Sequence, residues 1–269
     1  MEGVGGKLYL RNANRLGMYI RGIKIKKEVP KDNYLSDLDV VKNLKDIGEL
    51  AFKKPVTFFV GENGIGKSTL IEAIAINFGF NPEGGTRNYN FKTKNTHSDL
   101  YDYITVIKTF NHAKNGYFLR AESFYNTLSY LDYLDAEQYS DNDYYRHLKS
   151  NVGHGASMHN MSHGESFLNA IENFTGNGLY ILDEPESALS PSGIMKLILI
   201  IQRLVNNKSQ FVISTHSPIL LTCPHSDVYE ITKNGISLVN YKDTMHFQIT
   251  RRFLENPEKM LSRLLSEDE

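Results

Sequence analysis

Gly61-Glu62-Asn63-Gly64-Ile65-Gly66-Lys67-Ser68-Thr69 decides the fold of this 269-residue chain. It fits the pattern G-x-x-x-x-G-K-[ST], and it stands where that pattern has chemical meaning. Residues 55–60 run into it as an apolar strand. Residues 68–78 leave it as a helix whose apolar face is Leu70, Ile71, Ile74 and Ala75. The glycines let the backbone curl so that successive N–H groups face phosphate oxygens, and the helix N-terminus adds a partial positive charge. Lys67 is expected to reach the β- and γ-phosphates of a nucleotide, and Ser68 to ligate Mg²⁺. The competing reading is a chance glycine turn, which the flanking strand and helix disfavour.

Downstream, residues 179–182 form a short apolar strand that ends in Asp183-Glu184-Pro185. Adjacent carboxylates at a strand end suit phosphoryl chemistry. Asp183 can hold Mg²⁺ through water, and Glu184 can orient and deprotonate the attacking water. Taken alone, this stretch is an ordinary strand-end turn stopped by proline; together with the glycine loop it becomes a site.

The rest of the chain alternates in the same style. Strands are expected at 18–25, 104–110, 117–119 and 211–214, and helices at 124–134, 162–173 and 191–205. Asn115-Gly116 predicts a hairpin between the third and fourth apolar runs, and Asn234-Gly235 predicts a ribbon of 228–232 and 236–241. Helices separated by buried strands imply an α/β P-loop NTPase fold. Its sheet is mainly parallel and covered on both faces.

Composition narrows the class. The chain has 41% hydrophobic residues, a formal charge of -1 and a single cysteine, Cys223. These exclude a chain that coats nucleic acid through bulk positive charge, an internal disulfide and a cysteine zinc cluster. No apolar run is long enough for a membrane span, and no basic-then-apolar leader opens the sequence, so a cytoplasmic protein without direct membrane insertion is expected. His154, His159 and His163 fall close together, but with Gly153 and Gly155 among them they are taken as loop residues rather than zinc ligands. Charge is uneven. Residues 1–31 hold eight basic residues against Glu2 and Glu28, and residues 121–145 hold six acids interleaved with six tyrosines. Two solvated faces explain this, as would a basic surface for an acidic partner and an acidic lobe touching protein.

Four segments in order carry a resemblance. Gly61–Thr69, Met161-Ser-His-Gly-Glu165-Ser, Leu182-Asp-Glu-Pro-Glu-Ser-Ala-Leu189 and Ile213-Ser-Thr-His216-Ser-Pro218 resemble the ATP-binding cassette (ABC) class. Val60-Gly-Glu-Asn-Gly, Glu83-Gly-Gly-Thr-Arg-Asn and Phe118-Leu-Arg-Ala-Glu-Ser-Phe narrow this to its stand-alone bacterial AAA-family ATPases. The resemblance implies a single ABC-type ATPase domain over 1–269, with an N-terminal antiparallel β portion and a helical lobe at about 121–175. It also implies a head-to-tail homodimer with ATP at the interface, each nucleotide lying between one protomer's loop and the other's signature segment. Ser162, Gly164 and Glu165 match that segment; Ser162 would equally be a helix N-cap with Glu165 completing a capping box, and both can hold. His216 matches the switch histidine, expected at the γ-phosphate and attacking water. Glu122 stands where the class usually has a glutamine that ligates Mg²⁺, and otherwise it is a surface acid.

Two departures bear on the mechanism. Ser190 stands where an aspartate usually couples the two sites, and His163 replaces a glycine of the signature. With only 92 residues between Thr69 and Ser162 and no heptads, long coiled-coil arms are not expected. The resemblance leaves the partner open among a regulatory or DNA-handling role, control of a separate protein effector, and a transporter subunit.

Overall fold

The computed structural model describes residues 17–82, 84–85, 98–120 and 163–266. Its centre is β3 (Val56–Gly61), every residue of which is buried. Five strands flank it: β5 (Asn115–Arg120), β6 (Gly178–Asp183), β7 (Gln210–Ser214), β8 (Ser226–Thr232) and β9 (Gly235–Val239). Their order is β5-β6-β7-β3-β8-β9, parallel throughout except for the antiparallel β8–β9 ribbon. Such a sheet is buried on both faces, and the side chains divide by the two-residue period of a strand. Phe59, Ile181, Val212 and Tyr229 face one core, while Phe58, Val60, Tyr180, Leu182, Phe211 and Ile213 face the other.

The first core holds α2 (Lys67–Phe78) between this sheet and a smaller antiparallel one. The smaller sheet has the order β2-β1-β4, from β1 (Ile20–Ile25), β2 (Glu49–Ala51) and β4 (Ile104–Lys108). Helix α2 is consequently buried almost all round. Gln210 ties the two sheets together: its Oε1 accepts from the N–H groups of Tyr19 and Ile20, and its Nε2 donates to the carbonyl of Ile20. The second core is covered by α3 (His163–Glu172) and α4 (Pro191–Asn206), with Phe167, Ile171, Leu197 and Ile201 fully buried.

The mainly parallel sheet and the antiparallel N-terminal portion are as expected. The hairpin at Asn115-Gly116 is not. Strand β4 pairs with β1, whereas β5 lies in the other sheet, parallel to β6, with Asn115 and Gly116 as its first two residues. Gly116 is needed there for close approach rather than for a turn. A Cβ on it would lie 2.7 Å from the Leu179 carbonyl oxygen and 2.8 Å from Phe80 Cζ. The second ribbon does form, with Lys233 and Asn234 between the paired Thr232 and Gly235, one residue earlier than the sequence reading placed the turn.

Three helices escaped that reading. Helix α1 (Asp39–Ile47) has Val40, Val41 and Leu44 buried, a helical spacing that was there to be seen. At the C-terminal end, α5 (Met245–Glu255) and α6 (Pro257–Ser266) bury no residue. Of the expected helical lobe, only α3 falls within the described residues; the helix expected at 124–134 lies outside them.

Candidate nucleotide site

The first turn of α2 and the loop before it form a cradle braced from behind. Gly64 and Gly66 have φ of 79° and 98°, a region in which L side chains are strained. Gly66 has a second reason to be glycine, since a Cβ there would meet Val40 Cγ1 at 2.5 Å. Val40 belongs to α1, and its N–H also donates to the Ile65 carbonyl at 3.2 Å. Lys67 is buried, and its Nζ donates to the carbonyls of Gly61 and Glu62 at 2.8 and 2.9 Å. Burial lowers its pKa, while the carboxylates of Glu184, Asp183 and Glu186 act in the opposite sense.

Strand order brings the other groups to this loop. Strands β3, β7 and β6 are adjacent and parallel, so the loop after β3, His216 after β7 and Asp183-Glu184 at the end of β6 meet at one edge. Carboxyl ends of parallel strands are where α/β sheets bind ligands. Asp183 is buried and accepts from Ser214 Oγ at 2.5 Å; the Arg120 Nε forms an ion pair with it at 3.7 Å, and the Ser68 hydroxyl favours its ionised form. Burial nevertheless dominates and pushes its pKa above the ordinary carboxylate value. Arg120 is itself fixed by Glu72 at 2.7 Å.

Glu184 departs from the strand in a left-handed conformation, φ 48° and ψ 54°, uncommon outside glycine and costing about 1–2 kcal/mol. Its N–H is held by both the carbonyl and Oγ of Ser214, at 3.1 and 3.2 Å. The turn leaves its side chain 39% exposed, with Oε1 3.4 Å from His216 Nε2. That contact is misaligned for a hydrogen bond, so His216 Nε2 is buried without a hydrogen-bond partner. The His216 N–H donates to Glu186 Oε1, and burial, aided by Lys67, lowers the His216 pKa to about 4.

Sequence reasoning thus selected Lys67, Ser68, Asp183, Glu184 and His216, which the fold brings together. Gly61 to Thr69 form the loop and the start of α2. Gly164 and Glu165 lie in the first turn of α3, Glu165 exposed. Ser162 and Glu122 lie outside the described residues, as do His154 and His159. Ser190, the departure noted above, caps α4 by accepting from the Gly193 N–H at 3.2 Å. Ser214, Arg120, Glu186 and His246 were missed. The first three stand inside or beside quoted motifs, where a polar residue next to a recognised one was the available signal.

The donor chemistry suits a hard divalent cation: the Ser68 hydroxyl and Asp183 carboxylate are both oxygen ligands, near enough to influence one another. Among the described residues, no group of three or more His, Cys, Asp or Glu gathers into a metal site of its own. None of the described helices is long and apolar enough to cross a membrane.

A family model described as RecF/RecN/SMC N terminal domain matches residues 35–237, about three quarters of the chain. No curated protein matches. Among solved structures, CbiO1 from Clostridium perfringens, part of the ABC transporter complex CbiONQ, is similar at 18% identity. That match covers 93% of this chain and 99% of CbiO1, with a TM-score of 0.45. The Smc head bound to the C-winged helix domain of ScpA matches at 12% identity over 82% of this chain and 97% of the head, TM-score 0.44. The SMC head domain from Thermotoga maritima matches at 15% over 83% and 99%, TM-score 0.40.

Proposed function

The chain belongs to the RecF/RecN/SMC N-terminal domain family and carries an ABC-type P-loop ATPase domain, and from that premise we propose that it binds and hydrolyses ATP with Mg²⁺ in an ATP-dependent head-to-tail homodimer. The observation that supports this best is the meeting of Lys67, Ser68, Asp183, Glu184 and His216 at the ends of three adjacent strands. Chance turns at three separate strand ends would not supply a cation, a hydroxyl, two carboxylates and an imidazole to one place.

Each group has a task that its surroundings favour. Lys67 exchanges the neutral carbonyls of Gly61 and Glu62 for phosphate oxygens, which make stronger charge-assisted bonds. The N–H groups of the loop and the N-terminus of α2 face the same oxygens. Ser68 and Asp183 would hold Mg²⁺, which supplies charge neutralisation at the β- and γ-phosphates. Glu184, turned out of the strand and accessible, takes a proton from the attacking water. The bond from that water to the γ-phosphorus forms as the bond to the bridging oxygen of ADP breaks. His216, kept neutral by burial and Lys67, offers a ring nitrogen to the γ-phosphate without adding a second positive charge.

In this reading Ser162, Gly164 and Glu165 act on the partner protomer's nucleotide, for which the exposure of Glu165 at the start of α3 gives room. Glu122 would complete the Mg²⁺ shell, and residues 1–269 would act as a single ATPase unit with a lobe near 121–175. The family match favours a regulatory or nucleic-acid-associated role over a transporter subunit, and a cytoplasmic location is part of the same proposal. The exposed Arg21, Lys24, Lys26, Lys27 and Lys31 suit DNA as the acidic partner. Control of a separate protein effector is the second reading.

Sedimentation of the Glu184→Gln variant at micromolar protein tests the dimer. Saturating ATP should convert it from monomer to dimer, and ADP should not. A variant that binds ATP and stays monomeric would remove the composite site.

A further inference from the structure

Next to His216 stands a histidine that the proposed hydrolytic reaction does not use. Strand β9 leads to a turn at Tyr241–Asp243, and α5 then starts with Met245 and His246. This corner is firmly built. Thr244 is fully buried, its Oγ1 donating to the Tyr241 carbonyl at 2.7 Å and accepting from the Phe247 N–H. The Met245 N–H donates to Glu230 Oε1 on β8 at 2.8 Å, and the rings of Tyr241 and Phe247 meet edge to face. The corner delivers His246 Nε2 to 2.9 Å from His216 Nδ1, with the ring planes at 62°.

Two neutral imidazoles in such contact have one proton between the facing nitrogens, so one ring donates and the other accepts. The outer nitrogens decide which. His216 Nε2 is buried, has no hydrogen-bond partner and faces the Glu184 carboxylate, which can only accept. A hydrogen belongs on that nitrogen. His216 Nδ1 is then the acceptor and His246 Nε2 the donor, which leaves a bare lone pair on His246 Nδ1. That nitrogen is also buried without a partner at the positive end of α5, where burial and the charge of Lys67 favour a lone pair over a proton and outweigh the opposing carboxylates of Glu230 and Glu62. The same surroundings, with burial as the largest cause, lower the His246 pKa.

We propose that His246 is a positioning residue for His216, whose Nε2–H fixes the tautomer and ring angle that turn the His216 Nε2–H toward Glu184 and the phosphate seat. This rests on the ATPase reading given above. It adds a dependence of the site on the corner between β9 and α5, outside every motif by which the site was found.

The test combines turnover with a direct reading of the tautomer. In ¹⁵N spectra of histidine-labelled wild-type protein near neutral pH, His216 should carry its proton on Nε2. In His246→Ala it should become a mixture of both tautomers. His246→Ala should lose about 10- to 100-fold in kcat with ATP affinity unchanged, the usual scale for a misplaced group. His246→Gln, whose amide can offer an N–H from nearly the same place, should stay within about threefold of wild type. The double variant with His216→Ala should be no slower than His216→Ala alone. An Nδ1–H tautomer in the wild type would overturn the proposal, as would full turnover in His246→Ala, a glutamine variant no better than alanine, or additive losses. If His216→Ala itself keeps full turnover, the role of His216 in the ATPase reading fails, and the positioning role falls with it.

Discussion

Replacing Ser214 with alanine probes how the carboxylate pair is held from the neighbouring strand. Ser214 Oγ makes two bonds, and they differ in weight. It accepts from the Glu184 N–H at 3.2 Å, but that N–H also reaches the Ser214 carbonyl at 3.1 Å, so losing the hydroxyl orphans no amide. Its bond to Asp183 Oδ1 is a donor to a buried carboxylate. Arg120 approaches the other oxygen of that carboxylate at only 3.7 Å. A hydrogen bond to a charged group contributes about 1.5–3 kcal/mol, so Ser214→Ala should cost about 2 kcal/mol at a pH where Asp183 is ionised. With a urea slope of about 3 kcal/mol/M, the midpoint followed by circular dichroism should fall by about 0.7 M.

The pH dependence gives the experiment its sign. The Ser214 bond lowers the Asp183 pKa, so the variant's carboxyl protonates at higher pH than the wild type's. The full penalty is present above both pKa values and shrinks as pH falls through them. An unchanged midpoint at the alkaline end of the series, or a loss that grows on acidification, would refute the bond's assigned role.

Other outcomes follow from the same geometry. His216 titrates near 4 in the folded protein against 6.5 in an unfolded chain, so between these values the unfolded state binds the extra proton. This group's contribution to stability therefore falls as pH drops through that window, and His216→Ala should lose less melting temperature on acidification than wild type; a steeper loss would count against the neutral imidazole. Gly116→Ala should destabilise by about 1–3 kcal/mol, because its Cβ has no room against Leu179 and Phe80. ATP turnover should rise with duplex DNA at low salt, and the rise should shrink toward physiological salt; indifference to DNA at both would move the partner to a protein effector.

Where the chain's local pattern and its tertiary role coincide, the sequence was legible. Residues 55–78 read as strand, loop and helix because a parallel strand, a glycine cradle and a helix N-terminus are each local. The buried strands before Asp183 and His216 were legible for the same reason, and sheet order then placed the three ends together. Asn115-Gly116 and Asn234-Gly235 show the limit. The dipeptide is the same, but Gly235 has nothing within 4 Å of a Cβ, whereas Gly116 has a neighbouring strand's carbonyl at 2.7 Å. Only packing distinguishes a turn glycine from one that admits another backbone. Ser214 and Arg120 were likewise invisible because their function is set by the strand beside them. His246 acquires its neighbour through a corner thirty residues from His216 in sequence. Helices α5 and α6 bury nothing, so no core constraint marked them.

The most direct test of the nucleotide site compares steady-state phosphate release from ATP by the wild type and by Glu184→Gln, with ATP affinity measured on both. The arrangement of Glu184 predicts that the variant binds ATP as the wild type does and loses about 100-fold or more of its turnover, the scale of a lost general base. Turnover within about twofold of wild type, at equal ATP affinity, would contradict Glu184 as the base and with it the proposed hydrolytic site.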